Sequence, residues 1–311
     1  MYFPILRGRQ FELLALRECV TEGLISKEIL PVLEPVRASS TLVKTIEEFI
    51  NADREIALIF NPQVGSFEKE IKKDSNLPVE EALDALHRDN HIVPTLYVDR
   101  NLKKDLLDLK ARGDSLENAI LIFSNPEYID SYEEYVEASP RFVFIPDKGE
   151  FRRRIRFSRV LCEDHFPRRQ RNVDYLDIEP EFFSSDHLYY REDGYKGFSD
   201  YSVIGSDYSE TGFAPYAIAI HIVFFDNRKT LKIAHFVSET NDDISDPARK
   251  FAEAAEKLVK WNNDAKLDTA GIRALISAYE EQTYPGLGVL KKYSIMHHLE
   301  LMSKYLDGEI S

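Results

Sequence analysis

Short apolar runs recur along this 311-residue chain, and nearly every one ends on a polar residue. Arg7, Glu34, Asn61, Asp99, Asn125, Asp147, the Glu163-Asp164 pair and Asp200 stand at or just past those ends. Carboxylates brought together in this way are the usual equipment for general acid and base work. Glu34 sits between apolar neighbours in Pro31-Val32-Leu33-Glu34-Pro35-Val36, and desolvation there raises a carboxyl pKa. Glu34, Asp164 and Asp200 are therefore the expected catalytic residues, with Arg7, Asn61, Asp99 and Asn125 in contact with substrate. A plainer reading competes with this one, because Asn and Asp also end strands as turn formers, and Asn61-Pro62 and Asn125-Pro126 have the form of turn openers.

Two further clusters carry possible chemistry. Arginines crowd residues 152–171, and a guanidinium fork matches phosphate oxygens. Arg168, Arg169 and Arg171 are the expected phosphate contacts, while Arg152, Arg153, Arg154 and Arg156 are expected on a solvated outer helix. Asp207 and Glu210, together with Glu34 or Asp164, form a candidate set of oxygen ligands for Mg²⁺ or Mn²⁺, although turn chemistry around Gly205 and Gly212 explains the same letters. No zinc-protease, nucleophile-elbow or P-loop signature is present. Cys19 and Cys162 are too few for a disulfide framework.

These residues need a scaffold that brings strand ends together. Eight runs have apolar residues at consecutive positions, as parallel strands covered on both faces do: 2–6, 29–35, 56–61, 92–99, 119–125, 142–147, 159–164 and 201–205. Segments of helical period separate the first six, at 11–21, 40–51, 78–89, 102–112 and 128–138. Eight alternating units predict an α/β fold of the (β/α)8, TIM-barrel-like kind, in which strand ends converge on one mouth. An open doubly wound sheet is the competitor, but no G-x-G-x-x-G follows the first strand. The expected organisation is a barrel over 1–212 with a long loop insertion at 165–199. Over 213–311 a β-hairpin (216–225 and 230–237) and helices at 247–262, 269–282 and 287–306 follow, as an appendage packed on the barrel.

A net charge of -14 argues against coating nucleic acid or anionic membrane with the whole surface. No apolar run approaches the length of a membrane span, and MYFPILRGRQ has no charged segment followed by a long apolar stretch. A cytoplasmic protein is expected.

The opening Tyr2-Phe3-Pro4-Ile5-Leu6-Arg7-Gly8-Arg9, followed by Glu12, Ala15-Leu16 and Ile29-Leu30-Pro31-Val32-Leu33-Glu34, resembles the start of the phage-type Beta protein family and its bacterial relatives. The Asp200-Tyr201 dipeptide extends the resemblance. It implies a barrel-like fold and a bacterial mobile-element or antiphage setting, and it singles out Tyr2, Arg7, Arg9, Glu34 and Asp200; Arg9 and Tyr201 thereby join the expected substrate contacts. It implies no mechanism. The resulting expectation is a barrel binding a phosphate-bearing small molecule or nucleic-acid end, as a metal-dependent phosphodiester hydrolase. The alternative is a non-catalytic component of a defence or phage-related locus that binds a protein partner.

Overall fold

The computed structural model describes residues 1–209 and 215–310; Glu210 lies outside them. The chain divides into two compact units. The first comprises Met1–Leu13, Lys27–Asp164 and Asp186–Tyr201, and the second Leu14–Ser26, His165–Ser185 and the described residues from Ser202 onward. This division differs from a single cut at 212, because residues 165–185 group with the C-terminal segment.

The first unit is a closed barrel of eight parallel strands. In chain order these are β1 (Tyr2–Leu6), β2 (Val32–Leu33), β3 (Ile56–Ile59), β4 (Ile92–Tyr97), β5 (Ile120–Ile122), β6 (Phe142–Ile145), β7 (Arg159–Cys162) and, following β8 (Glu181–Ser184) of the other unit, β9 (Gly197–Asp200). Pairing of β9 with both β7 and β1 closes the ring. Helices separate the strands, so the architecture is TIM-barrel-like.

Period-2 alternation sends Phe3, Ile5, Leu30, Val32, Ala57, Ile59, Val93, Ile120, Ile122, Phe144 and Val160 into one interior cluster. At its base the Phe3 ring meets Phe142 and Phe144 edge-on, with centroids 5.0 and 5.1 Å apart. This ring also explains why the eighth strand lies at Gly197–Asp200 and not at 201–205. A Cβ on Gly197 would stand 2.5 Å from the Phe3 ring and 2.6 Å from the Met1 carbonyl. The closing strand must therefore be small where it faces Phe3, and a search for apolar runs passes over it. The apolar Val203 and Ile204 are buried instead in a 3₁₀ turn, Ser202–Ile204.

In the second unit β8 (Glu181–Ser184), β10 (Ala219–Phe225) and β11 (Leu231–Val237) form an antiparallel sheet in the order β10-β11-β8. The hairpin turns at Asp226, whose Oδ1 accepts the N–H groups of Arg228 and Thr230. Ile220, Ile222, Ala234 and Phe236 pack against Phe251, Leu258, Leu275 and Leu290 of the long helices Pro247–Ala265, Ala270–Glu280 and Leu287–Leu306. Among the described residues no helix is long and apolar enough to cross a membrane.

Candidate functional site

Continuing each interior series by two residues passes from apolar to polar: Phe3, Ile5 then Arg7; Leu30, Val32 then Glu34; Ala57, Ile59 then Asn61; Val93, Thr95 then Tyr97. The C-terminal end of the barrel thus carries a polar layer over an apolar interior, at the end where barrels of this kind hold their active sites.

Glu34 is the hub of that layer and is fully buried. Its Oε2 accepts from Arg7 Nη1 and from the Tyr97 hydroxyl at 2.9 Å. Its Oε1 accepts the backbone N–H groups of Gln63 and Val64 at 2.7 and 3.2 Å. Four donors therefore converge on one carboxylate. Arg7, 7% exposed, also reaches the Tyr97 hydroxyl at 3.2 Å and lies over the Tyr201 ring at 5.1 Å. Its backbone N–H donates to buried Glu12 at 2.7 Å.

Two glycines make this approach possible. Gly8 has φ +60, and a Cβ there would lie 2.8 Å from the Glu34 carbonyl. Gly65 has φ +83, and a Cβ would lie 2.4 Å from the Val36 carbonyl oxygen, so only glycine lets the Gln63-Val64 backbone close onto Glu34. Gly65→Ala is expected to cost about 1–3 kcal/mol, from φ strain plus displaced backbone. The check is a urea denaturation series, supplemented by exchange protection of the Gln63 and Val64 amides; unchanged protection would detach the loop from the site.

Burial and neighbouring groups together set the protonation of Arg7 and of the two phenols. Burial works against the Arg7 charge, but Tyr97 and Glu34 outweigh it and hold the guanidinium protonated. Burial raises Tyr97 well above the ordinary phenol range, and the neighbouring Glu34 adds to the shift. Burial likewise raises Tyr201, whose electrostatic neighbours are Cys162, Arg7, Glu34 and Asp164. Both phenols therefore stay hydroxyl donors. Burial pushes the Cys162 thiol up to about 12, which removes it as a thiolate nucleophile at neutral pH.

The mouth thus joins Arg7, Glu34 and Tyr97, with Tyr201 beside them and exposed Asp164 within electrostatic reach of Tyr201. Asn61 borders it structurally: its side chain accepts from the Tyr97 N–H at 2.8 Å and donates to the Tyr97 carbonyl and to Asp105. Tyr97, Glu12 and the Gln63-Val64 amides were not among the expected site residues. The signal for Tyr97 was its place two residues beyond Thr95 in an inward series.

Other expected contacts have local partners. Asp200 is buried and takes the Tyr2 hydroxyl at 2.7 Å. Tyr2 stacks on Phe198, and both belong to the alternation that leaves the interior cluster, so this pair fastens the β1-β9 seam. That placement gives Asp200 a partner in the seam, apart from the Arg7–Glu34 network. Asp99 accepts the Asn101 N–H, Asn125 accepts the Glu127 N–H, and Arg9 stands 3.8 Å from Glu12. The first two are turn contacts.

Arg168, Arg169 and Arg171 belong to the second unit, where carboxylates of Asp207, Glu181 and Asp174 hold them at 3.4, 2.6 and 2.7 Å. A phosphate would have to displace an acid from each, because the fork that suits phosphate suits carboxylate equally. Nor does the ligand set Glu34, Asp207 and Glu210 form among the described residues. Glu34 is saturated by N–H and O–H donors, which repel a cation; Asp207 pairs with Arg168; Glu210 lies outside the described residues. Among the described residues no three His, Cys, Asp or Glu side chains gather as metal ligands.

Compared with known proteins, the chain matches no family model, no curated protein and no solved structure.

Proposed function

We propose that the barrel unit binds a small phosphate-bearing ligand at its C-terminal mouth and hydrolyses a phosphodiester there. The observation that supports this reading is the buried Arg7–Glu34–Tyr97 network capping an apolar interior. Burying an ion pair costs several kcal/mol per ion before its contacts offset it, and a well-packed apolar pair serves folding as well or better. A network kept at the ligand-binding end of a barrel therefore argues for a task beyond stability.

In this proposal Glu34 is the positioning group that fixes Arg7. Arg7 offsets charge on the non-bridging phosphate oxygens, Asp164 takes a proton from the attacking water, and Tyr201 hydrogen-bonds the leaving oxygen. The resemblance to the phage-type Beta protein family adds a bacterial or phage setting to the proposal.

Turnover of bis(4-nitrophenyl) phosphate, with and without Mg²⁺ or Mn²⁺, tests it. The expected result is measurable hydrolysis that Asp164→Asn lowers at least a hundredfold in kcat and Tyr201→Phe at least tenfold, with folding intact. Absence of turnover and of phosphate-ester binding, or variants as active as the parent, would sink it. A second reading, protein binding, is favoured by Phe182, 59% exposed on β8 at the edge of its sheet. Under that reading a stoichiometric partner copurifies with the chain and is lost on Phe182→Ser.

A further inference from the structure

At the opposite end of the barrel the loops leading into β6 and β7 enclose a pocket of about 160 Å³. It is lined by Tyr132, Ser139, Pro140 and the run Arg154-Ile155-Arg156-Phe157-Ser158. Pro140 and Ile155 of this lining are buried and apolar. The rest of the lining is rich in donors. The hydroxyls of Tyr132, Ser139 and Ser158 have no hydrogen-bond partner among the described residues, and burial keeps Tyr132 a neutral phenol.

The charges around the pocket are unequal. Arg154 is committed to Asp130 and Glu133. Arg156 is exposed; its Nε donates to the Arg153 carbonyl at 3.2 Å, and it makes no ion pair among the described residues. Arg153 is also exposed and takes no ion pair among them. Ser158 holds a positive φ of 53°, unfavourable for a residue with a side chain, as it turns the chain from Phe157 into β7. Phe157 stands at the rim with 77% of its surface exposed.

Three hydroxyl donors and a guanidinium around a small cavity suit an oxyanion, and a bare aromatic ring at the rim suits a flat ring stacked upon it. We propose that this pocket is a second ligand site, which takes a phosphate group carried on an aromatic heterocycle, with a nucleoside monophosphate as the simplest member of that class. The phosphate sits against Arg156, Ser139, Ser158 and Tyr132, and the base lies on Phe157. The site stands apart from the mouth, sharing no residue with it.

Calorimetric titration with AMP, ribose 5-phosphate and adenosine tests this, run on the parent protein and on an Arg7→Met/Glu34→Leu background that removes the ion pair of the mouth. AMP binding is expected to persist in that background, with ribose 5-phosphate weaker and adenosine weaker still. On the same background Arg156→Gln is expected to weaken AMP at least tenfold, and Phe157→Ser to bring AMP down to the level of ribose 5-phosphate. Both residues are exposed, so neither change threatens the core. Loss of AMP binding in the Arg7→Met/Glu34→Leu background, no AMP binding to either protein, or AMP binding unaffected by Arg156→Gln would each overturn the proposal.

Discussion

Glu34→Gln is expected to destabilise the barrel unit by about 3–5 kcal/mol, the cost of stranding a buried charge. The size follows from the donor count at that carboxylate. One oxygen faces Arg7 and Tyr97 and the other faces two backbone N–H groups, so wherever the new amide nitrogen points it meets a donor. Arg7, 7% exposed, is left without its counter-charge. The paired replacement Arg7→Met/Glu34→Leu removes both charges and is expected to recover most of that loss, because an apolar pair of similar volume matches or exceeds a buried salt bridge in stability. Urea unfolding of the parent, the single variant and the double variant measures this, with equal m-values as the condition for comparison. The function of the network is read from the double variant. If it is stable yet binds no phosphate ester at the mouth, the ion pair serves the ligand; if it binds as the parent does, the network is structural.

Most of the barrel was legible because its signal is local. The helix expected at 40–51 is Ser40–Asn51, where Ser39 caps the Leu42 N–H, and seven strands fall within the expected runs. Those strands announce themselves by consecutive apolar residues under helices on the outer face. The eighth gives no such signal, since its fitness depends on Phe3, almost two hundred residues away in sequence. Strand β8 was equally hidden, being four residues long and paired through Leu231, Lys232 and Ile233 of a distant hairpin.

For the site, positions were more legible than partners. Alternation and strand ends located Arg7 and Glu34, but whether Asp200 faces the interior or the seam depends on one residue of register, since a single step reverses every side chain. Placing the strand at 197–200 instead of 201–205 sends Asp200 to Tyr2 and Tyr201 to Arg7. The partners of the arginine-rich stretch were hidden for a related reason. Composition counts cations, while the acids that occupy them, Asp207 and Glu181 among others, come from elsewhere in the chain.

Acid is expected to unfold the second unit well before its carboxylates are all protonated, through His297. This ring is fully buried, with Nε2 donating to the Val223 carbonyl at 2.6 Å and Nδ1 facing the Thr269 hydroxyl at 2.8 Å. Thr269 is also the N-cap of the helix Ala270–Glu280, so one imidazole ties that helix to β10. Gly271 permits the approach, since a Cβ there would stand 2.7 Å from the His297 backbone nitrogen. Burial, with His298 and Lys304 nearby, pulls the His297 pKa down from 6.5 to about 4, against the opposing pull of the Val223 carbonyl and Glu300. The unfolded chain therefore takes up this proton first. The contribution to stability is whole above pH 6.5 and is lost as the pH falls toward 4, at about 1.4 kcal/mol per pH unit and about 3 kcal/mol in all. His221, drawn down to about 3 by burial and by His235, pulls in the same direction. His297→Gln keeps a donor for Val223 and an acceptor for Thr269 but cannot titrate. Its deficit relative to the parent is expected to be largest at pH 7.5 and to shrink steadily to pH 4.5 in denaturant unfolding; taking the difference between the two proteins cancels the carboxylates they share. Parallel stability curves over that range would mean that His297 is charged at no cost within the fold, and the acid sensitivity would then belong to His221 or to the carboxylates.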